Sequence, residues 1–366
     1  MSSALPTIAY FVSSHGLGHA TRSTAIINEI HASKKNIHFL IVSDLPDVFW
    51  EKNLDQSVPH TTLRCKTDIG LFQDDAFTSN IPKSIELLEA YLQKPIHKNI
   101  SLLKAMGKFD LCHVVCDISP LGIRLANYLG LKTTLIENFT WDWIYQPLIP
   151  KFQAFKDISS RLKAIFDTIH LRIQTTPYCE KINGAIEVQP VHRHFQTSPS
   201  EVYRKLNIAQ SQKLILVAAS GLQLNPKFKQ FIKKSPHHYI FCGDDKNTEI
   251  NTPLRRIPQD SNFHFPDLIR ASAVVIGKIG YGMTVECWAA QTKLIGVTRK
   301  DFRESEVLKD FIVNQDIGIS MTTEEFKKSS WLLRLEKQIE NSPKTKSHRI
   351  NGNGLASRKI IEIATG

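Results

Sequence analysis

The sequence predicts an α/β protein made of two doubly wound domains in tandem, and three observations carry that expectation. At 366 residues the chain is longer than a single hydrophobic core ordinarily supports. Short apolar, β-rich runs alternate with longer segments of helical apolar spacing, the pattern of a parallel sheet covered on both faces. A polar, proline-containing stretch, "QPVHRHFQTSPSE" at 189–201, separates two such series as a linker does.

In the first series the runs at 7–13, 37–43, 111–117, 132–138 and 170–176 read as strands buried on both faces. Between them "TRSTAIINEIHAS", "SIELLEAYLQKPIHKNISLLKAM" and "PLGIRLANYLG" carry helical spacing. In the second series the strands fall at 213–220, 238–244, 272–278 and 293–299. The closing segment, "GLASRKIIEIATG", is a short amphipathic helix able to pack back on either domain. The expected domains are therefore 1–190, 191–350 and a returning helix at 351–366. In such sheets ligands lie beyond the carboxyl ends of the strands.

An apolar fraction of 42 % and a charged fraction of 22 % suit a folded globular protein. The N-terminus lacks the basic, then long apolar, layout of a signal peptide, and no run reaches the length of a spanning helix. Cys65, Cys112, Cys116, Cys179, Cys242 and Cys287 show no CxxC or zinc spacing and read as thiols of a reducing cytoplasm. The net charge of +11 fits an anionic ligand or an anionic membrane face. Its lysines are not interleaved with stacking aromatics, so nucleic acid is not an expected partner.

Four loops carry chemistry. "SHGLGHATR" (14–22) follows the first strand; Gly16 and Gly18 let the chain turn and expose main-chain N–H groups, while His15 and His19 are candidate bases. The alternative is a plain strand-to-helix turn, and the spacing is not GxGxxG, which disfavours a dinucleotide. "GKIGYGMTVECWAA" (277–290) again opens a helix, with Gly280 and Gly282 admitting a phosphate, Lys278 nearby and Glu286 able to accept from a ribose diol. "RKDFRESE" (299–306) brings Asp301 and Glu304 to the next strand's end, where sugar hydroxyls are recognised or a helix start is merely acidic. "CDISP" supplies Asp117 to orient a histidine, and "ENFTWDWIY" supplies Thr140, Trp141 and Asp142 to an acceptor or, equally, to the interdomain core.

Taken together these loops resemble the GT-B glycosyltransferases, and more specifically the glycosyltransferase-like N-terminal region of plant L-arabinokinase and its bacterial relatives. That region carries "GHGFGHATR", "SDxxP", "NFSWDFIY", "GKIGYGTVSEA" and "RRDYFNEE". This chain matches them in order with "SHGLGHATR", "CDISP", "NFTWDWIY", "GKIGYGMTVEC" and "RKDFRESE". The resemblance runs to "INGNG" near the C-terminus and does not extend to a kinase module, so a sugar kinase is not implied. It implies two Rossmann-like domains facing a central cleft, and an inverting transferase of the hexosyl or N-acetylhexosaminyl type. The donor is a nucleotide-diphosphate sugar, UDP-linked in the first instance, and the acceptor a sugar, lipid or glycan hydroxyl.

The same resemblance implies diphosphate contacts at Gly280, Gly282 and Met283 and ribose at Glu286, and Gly221 and Tyr281 are expected as further donor contacts. It makes His19 the base; His15 is read as a second candidate, Asp117 as orienting the histidine, and Gly16, Gly18 and Arg22 as lying on the acceptor side. No cofactor and no metal are expected, and the location is cytoplasmic with peripheral membrane association. Where the relatives have "TVSE" this chain has "MTVE", so Val285 replaces a serine hydroxyl. A nucleotide-sugar epimerase and a non-catalytic nucleotide-sugar binder are the alternatives.

Overall fold

The computed structural model describes residues 5–74, 78–218, 225–242, 254–257, 262–300, 302–343 and 350–366. Gly221 and Asp301 lie outside them. The chain divides into two units, one comprising Met1–Phe72, Ser79–His192 and Asn351–Gly366, the other built mainly from Arg193–Ile350.

The first unit holds β1 (Thr7–Val12), β2 (His38–Ser43), β3 (His60–Arg64), β4 (Leu111–Asp117), β5 (Thr133–Glu137), β6 (Leu171–Thr175) and β7 (Ile186–Val188). They form one parallel sheet in the order β3-β2-β1-β4-β5-β6-β7. Order reverses between β1 and β4, where Val12 pairs with Asp117. That reversal is where open α/β sheets form their ligand crevice. Along β1, Ile8, Tyr10 and Val12 join the core on one face, while Phe11 packs beside Gly122 on the other. Each such apolar side chain contributes about 1.5–3 kcal/mol by leaving water.

The helix Pro120–Leu129 shows how local chemistry sets an element's limits. Ser119 caps its start by accepting from Gly122 N–H, proline occupies the first turn, and Gly130 ends it at φ 68°. The helical run read at 84–106 is broken into Ile81–Gln93, a short turn Ile96–Lys98 and Ile100–Met106. Pro95 interrupts it, because proline has no N–H to continue the ladder. The closing helix is Asn353–Thr365 and belongs to the first unit. Its Ala356 and Ile360 enter that unit's core, and Ser357 Oγ donates to Ile26 O on the helix Leu17–Ser33.

The second unit holds β8 (Leu214–Ala218), β9 (His238–Cys242), β10 (Leu254–Ile257), β11 (Val274–Lys278), β12 (Lys293–Val297) and β13 (Gly318–Met321), parallel in the order β10-β9-β8-β11-β12-β13. On β8, Leu214 and Leu216 enter one core while Ile215 and Val217 enter another on the opposite face. Period-two alternation with both faces apolar is why these strands read as continuous hydrophobic runs.

Candidate active site

In the first unit the chemistry gathers at the β1/β4 reversal. Beyond β1 the chain turns at Gly16, whose φ of 90° is one that glycine adopts readily, and enters the helix Leu17–Ser33. His19 lies in that helix's first turn and is buried. Its Nδ1 lies 2.8 Å from Asp117 Oδ1 at the end of β4. A carboxylate can only accept there, so the proton of this contact comes from Nδ1, with the donor Arg22 Nη2 also 3.2 Å from the same nitrogen.

Arg22 completes this arrangement. Its Nη2 donates to Asp117 Oδ1 at 2.6 Å and its Nε to Oδ2 at 2.9 Å. Its Nη1 donates to Asn138 Oδ1 at 2.8 Å and Thr175 Oγ1 at 3.0 Å. Ser23 Oγ donates to Asp117 Oδ2 at 3.2 Å. Burial works to raise the Asp117 carboxyl, but the Arg22 charge and hydrogen bonds, helped by His19, outweigh it and hold it below the usual carboxylate range. Arg22 was expected to meet the acceptor; its side chain is instead wholly buried against Asp117 and works as that residue's counter-ion.

The residue after Asp117 is strained. Ile118 is fully buried at φ 48°, a region that β-branched residues rarely enter, at a cost of about 1–3 kcal/mol.

A second cluster adjoins the first. Trp141 Nε1 donates to Asp68 Oδ2 at 2.8 Å. The His15 ring meets the Trp141 ring edge-on at 4.9 Å, and Phe139 bridges Trp141 and His19 at 5.4 and 5.5 Å. Burial raises the Asp68 carboxyl, against hydrogen bonds from Ser13 and Trp141 and the charge of His19. Gly70, at φ 63°, closes this cluster: a Cβ there would stand 2.7 Å from His15 Nδ1 and 2.9 Å from Trp141. Trp141, expected to meet an acceptor, is 1 % exposed, with its indole held by Asp68 and set against the His15 ring. Thr140 is buried, Asp142 partly so, and burial raises the Asp142 carboxyl against a hydrogen bond from Thr140.

In the second unit β11 ends at Lys278 and the helix Tyr281–Ala290 begins after Gly280. Gly280 is extended, at φ −154°, a conformation open to any residue; among the described residues no atom lies within 4 Å of where a Cβ would stand at the start of that helix. Tyr281, Gly282 and Val285 are buried and Met283 half-buried. Glu286, expected to meet a ribose, is 2 % exposed and carries a bidentate ion pair with Arg193. Beyond β12, Arg299 stacks on Phe302 at 3.9 Å, and Glu304 is buried. Burial pushes the Arg299 guanidinium down, against the charge of Glu304.

Arg193 and Asp68 are polar groups that sequence reasoning missed, as are Ser23 and Thr175 beside Asp117 and Arg22. Arg193 sits in the polar linker, 93 positions from its partner, with no local spacing to mark it. Asp68 had a weak signal in "TDIG", a carboxylate two residues before a glycine that turns.

No protein-family model matches the chain. Among solved structures, a UDP-glucosyltransferase of Polygonum tinctorium aligns over 100 % of both chains with TM-score 0.64 and 11 % identity. The glycosyltransferase SnogD of Streptomyces nogalater aligns over 98 % of this chain and 99 % of its own, with TM-score 0.57 and 13 % identity. A spinosyn rhamnosyltransferase aligns over 98 % and 95 %, with TM-score 0.60 and 11 % identity. The fold is therefore that of the GT-B glycosyltransferases, with two Rossmann-like domains. By sequence the chain is 25 % identical over 365 residues to L-arabinokinase of Arabidopsis thaliana, across 98 % of its own length and 34 % of that protein's. It thus spans about a third of the curated relative it matches.

Proposed function

We propose that this chain is an inverting glycosyltransferase that moves a sugar from a nucleotide-diphosphate sugar to an acceptor hydroxyl. The observation that carries the reading is the 2.8 Å contact of His19 Nδ1 with Asp117 Oδ1. With Nδ1 donating, Nε2 takes the proton of the acceptor hydroxyl as its oxygen attacks the anomeric carbon. The bond from that carbon to the diphosphate oxygen breaks on the opposite face, and the configuration inverts. Asp117 stabilises the imidazolium, and Arg22 keeps Asp117 ionised.

The leaving diphosphate gathers negative charge, and the N-terminus of the helix Tyr281–Ala290 with Lys278 and Arg299 suits its neutralisation. In this reading neither a metal nor a cofactor is needed. Glu286 accepts from the ribose, and Asp301 and Glu304 accept from the transferred sugar. The net charge of +11 supports peripheral association with an anionic membrane carrying a lipid-linked acceptor. No helix among the described residues is long and apolar enough to cross a membrane.

A thermal-shift panel of UDP, GDP, dTDP, CMP, ADP and their sugars identifies the donor, because a ligand of the native state raises the midpoint by mass action. With that donor, His19→Ala is expected to slow transfer, or donor hydrolysis without acceptor, by about 10²–10⁴-fold while keeping the thermal shift. His15→Ala is expected to cost far less. An unchanged rate in His19→Ala would overturn the mechanism; no stabilisation by any nucleotide would overturn the donor site.

A further inference from the structure

The segment 193–197 is fastened to the second unit at every residue. Arg193 Nε donates to Glu286 Oε1 at 2.7 Å and Nη2 to Oε2 at 3.0 Å, with Arg193 7 % and Glu286 2 % exposed. His264 Nε2 meets the carbonyl of His194 at 2.9 Å, and Arg270 lies over the ring of Phe195 at 5.0 Å. Asp267 accepts from Gln196 N–H through Oδ1 at 2.8 Å. Through Oδ2 it accepts from Thr197 N–H at 3.1 Å and Thr197 Oγ1 at 2.9 Å. The guanidinium thus rests on a backbone that the helix Phe265–Ala271 holds in place.

We infer that Arg193 is a positioning residue of the donor site, aiming the Glu286 carboxylate at the ribose diol; this rests on the reading of Glu286 as the ribose acceptor. Each carboxylate oxygen has two lone pairs, and the side-on guanidinium uses one on each. One on each oxygen remains, matched to two neighbouring hydroxyl donors. The planar fork fixes the carboxylate plane, and its charge keeps a buried anion compensated. Without the guanidinium the buried carboxylate loses its bidentate partner and the charge that compensates it. Lysine at 193 supplies the charge but not the two-point geometry.

The test is calorimetric titration of the full chain with UDP, GDP, CDP and ADP and their 2′-deoxy counterparts, on wild type, Arg193→Gln, Arg193→Lys, Glu286→Gln and the double variant. Thermal midpoints without nucleotide report folding separately. For the nucleotide that binds, Arg193→Gln is expected to weaken the ribose form about tenfold or more and the 2′-deoxy form much less. Arg193→Lys falls between, and the double variant is no worse than Glu286→Gln alone. The inference is overturned if Glu286→Gln abolishes discrimination between ribose and deoxyribose while both Arg193 variants keep it. It is also overturned if Arg193→Gln weakens both forms equally. A wild type that binds none of these nucleotides, or binds both forms alike, removes the ribose reading of Glu286 itself.

Discussion

At the residue scale Asp117 is the centre of the first unit, because the Arg22 guanidinium and the His19 imidazole both hydrogen-bond to this one buried carboxylate. Asparagine there retains the size and loses the charge, leaving the Arg22 guanidinium, whose side chain is 0 % exposed, without compensation. Asp117→Asn is therefore expected to reduce unfolding free energy by about 3–5 kcal/mol in urea titrations at neutral pH, since breaking one side of a buried pair strands the other. The wild-type carboxyl is held below its unfolded value. Its stabilisation is present above about pH 4 and fades as pH falls toward the folded value. The variant is expected to lack that component of the acid-side decline, and equal stability of the two proteins would refute the role of Asp117 as counter-ion. The pairing of His19 with Asp117 was legible through their motifs. Arg22 was assigned to the acceptor because sequence spacing does not reveal which residue of a helix turns inward to a carboxylate 95 positions away.

At the element scale the central strands were legible and the edges were not. β1, β4, β5, β8 and β11 are buried on both faces, so their apolar runs stand out. β3 is "HTTLR" with no fully buried residue, β7 is three residues long, and β13 is "GISM", mostly half-buried; none presents the pattern that marks a core strand. Polar side chains at a strand's end were legible as chemistry but not as partners. Glu137 closes β5 and accepts from Arg172 Nη1 and Gln174 Nε2 on β6, each at 3.2 Å. Burial pushes its carboxyl up to about 7 despite Arg172. The folded state therefore holds a proton that the unfolded chain releases near pH 4.5, so stability falls as pH rises from about 4.5 to 7 and then levels. Glu137→Gln removes this component, which is roughly 3 kcal/mol at most. Midpoints in urea at pH 5 and pH 7.5 are expected to lie closer together in the variant; an unchanged gap would show that Glu137 does not titrate in that window.

At the scale of the whole molecule the chain leaves the first unit at His192 and returns to it at Asn351. The tandem arrangement was legible from two series of buried strands divided by a polar stretch. The destination of the last helix was not, since an amphipathic stripe shows that a helix packs but not on what. The return is specific: Asn353 Oδ1 accepts from His192 N–H at 3.3 Å, and its Nδ2 donates to His192 O at 2.9 Å. A Cβ on Gly352 would stand 2.1 Å from the carbonyl of Gln189, so the chain enters this helix through a passage that only glycine fits. Ala356 and Ile360, fully buried, then cover the helix that carries His19. Removing 351–366 uncovers that face and exposes buried apolar groups of the first unit, at about 2–5 kcal/mol for each large side chain that loses its packing. The second unit keeps both of its cores. Truncation at 350 is therefore expected to lower the midpoint of the first unit and abolish transfer, while the nucleotide found by thermal shift still binds. Loss of nucleotide binding with an unchanged melting profile would show instead that the C-terminal helix serves the donor site and not the fold of the first unit.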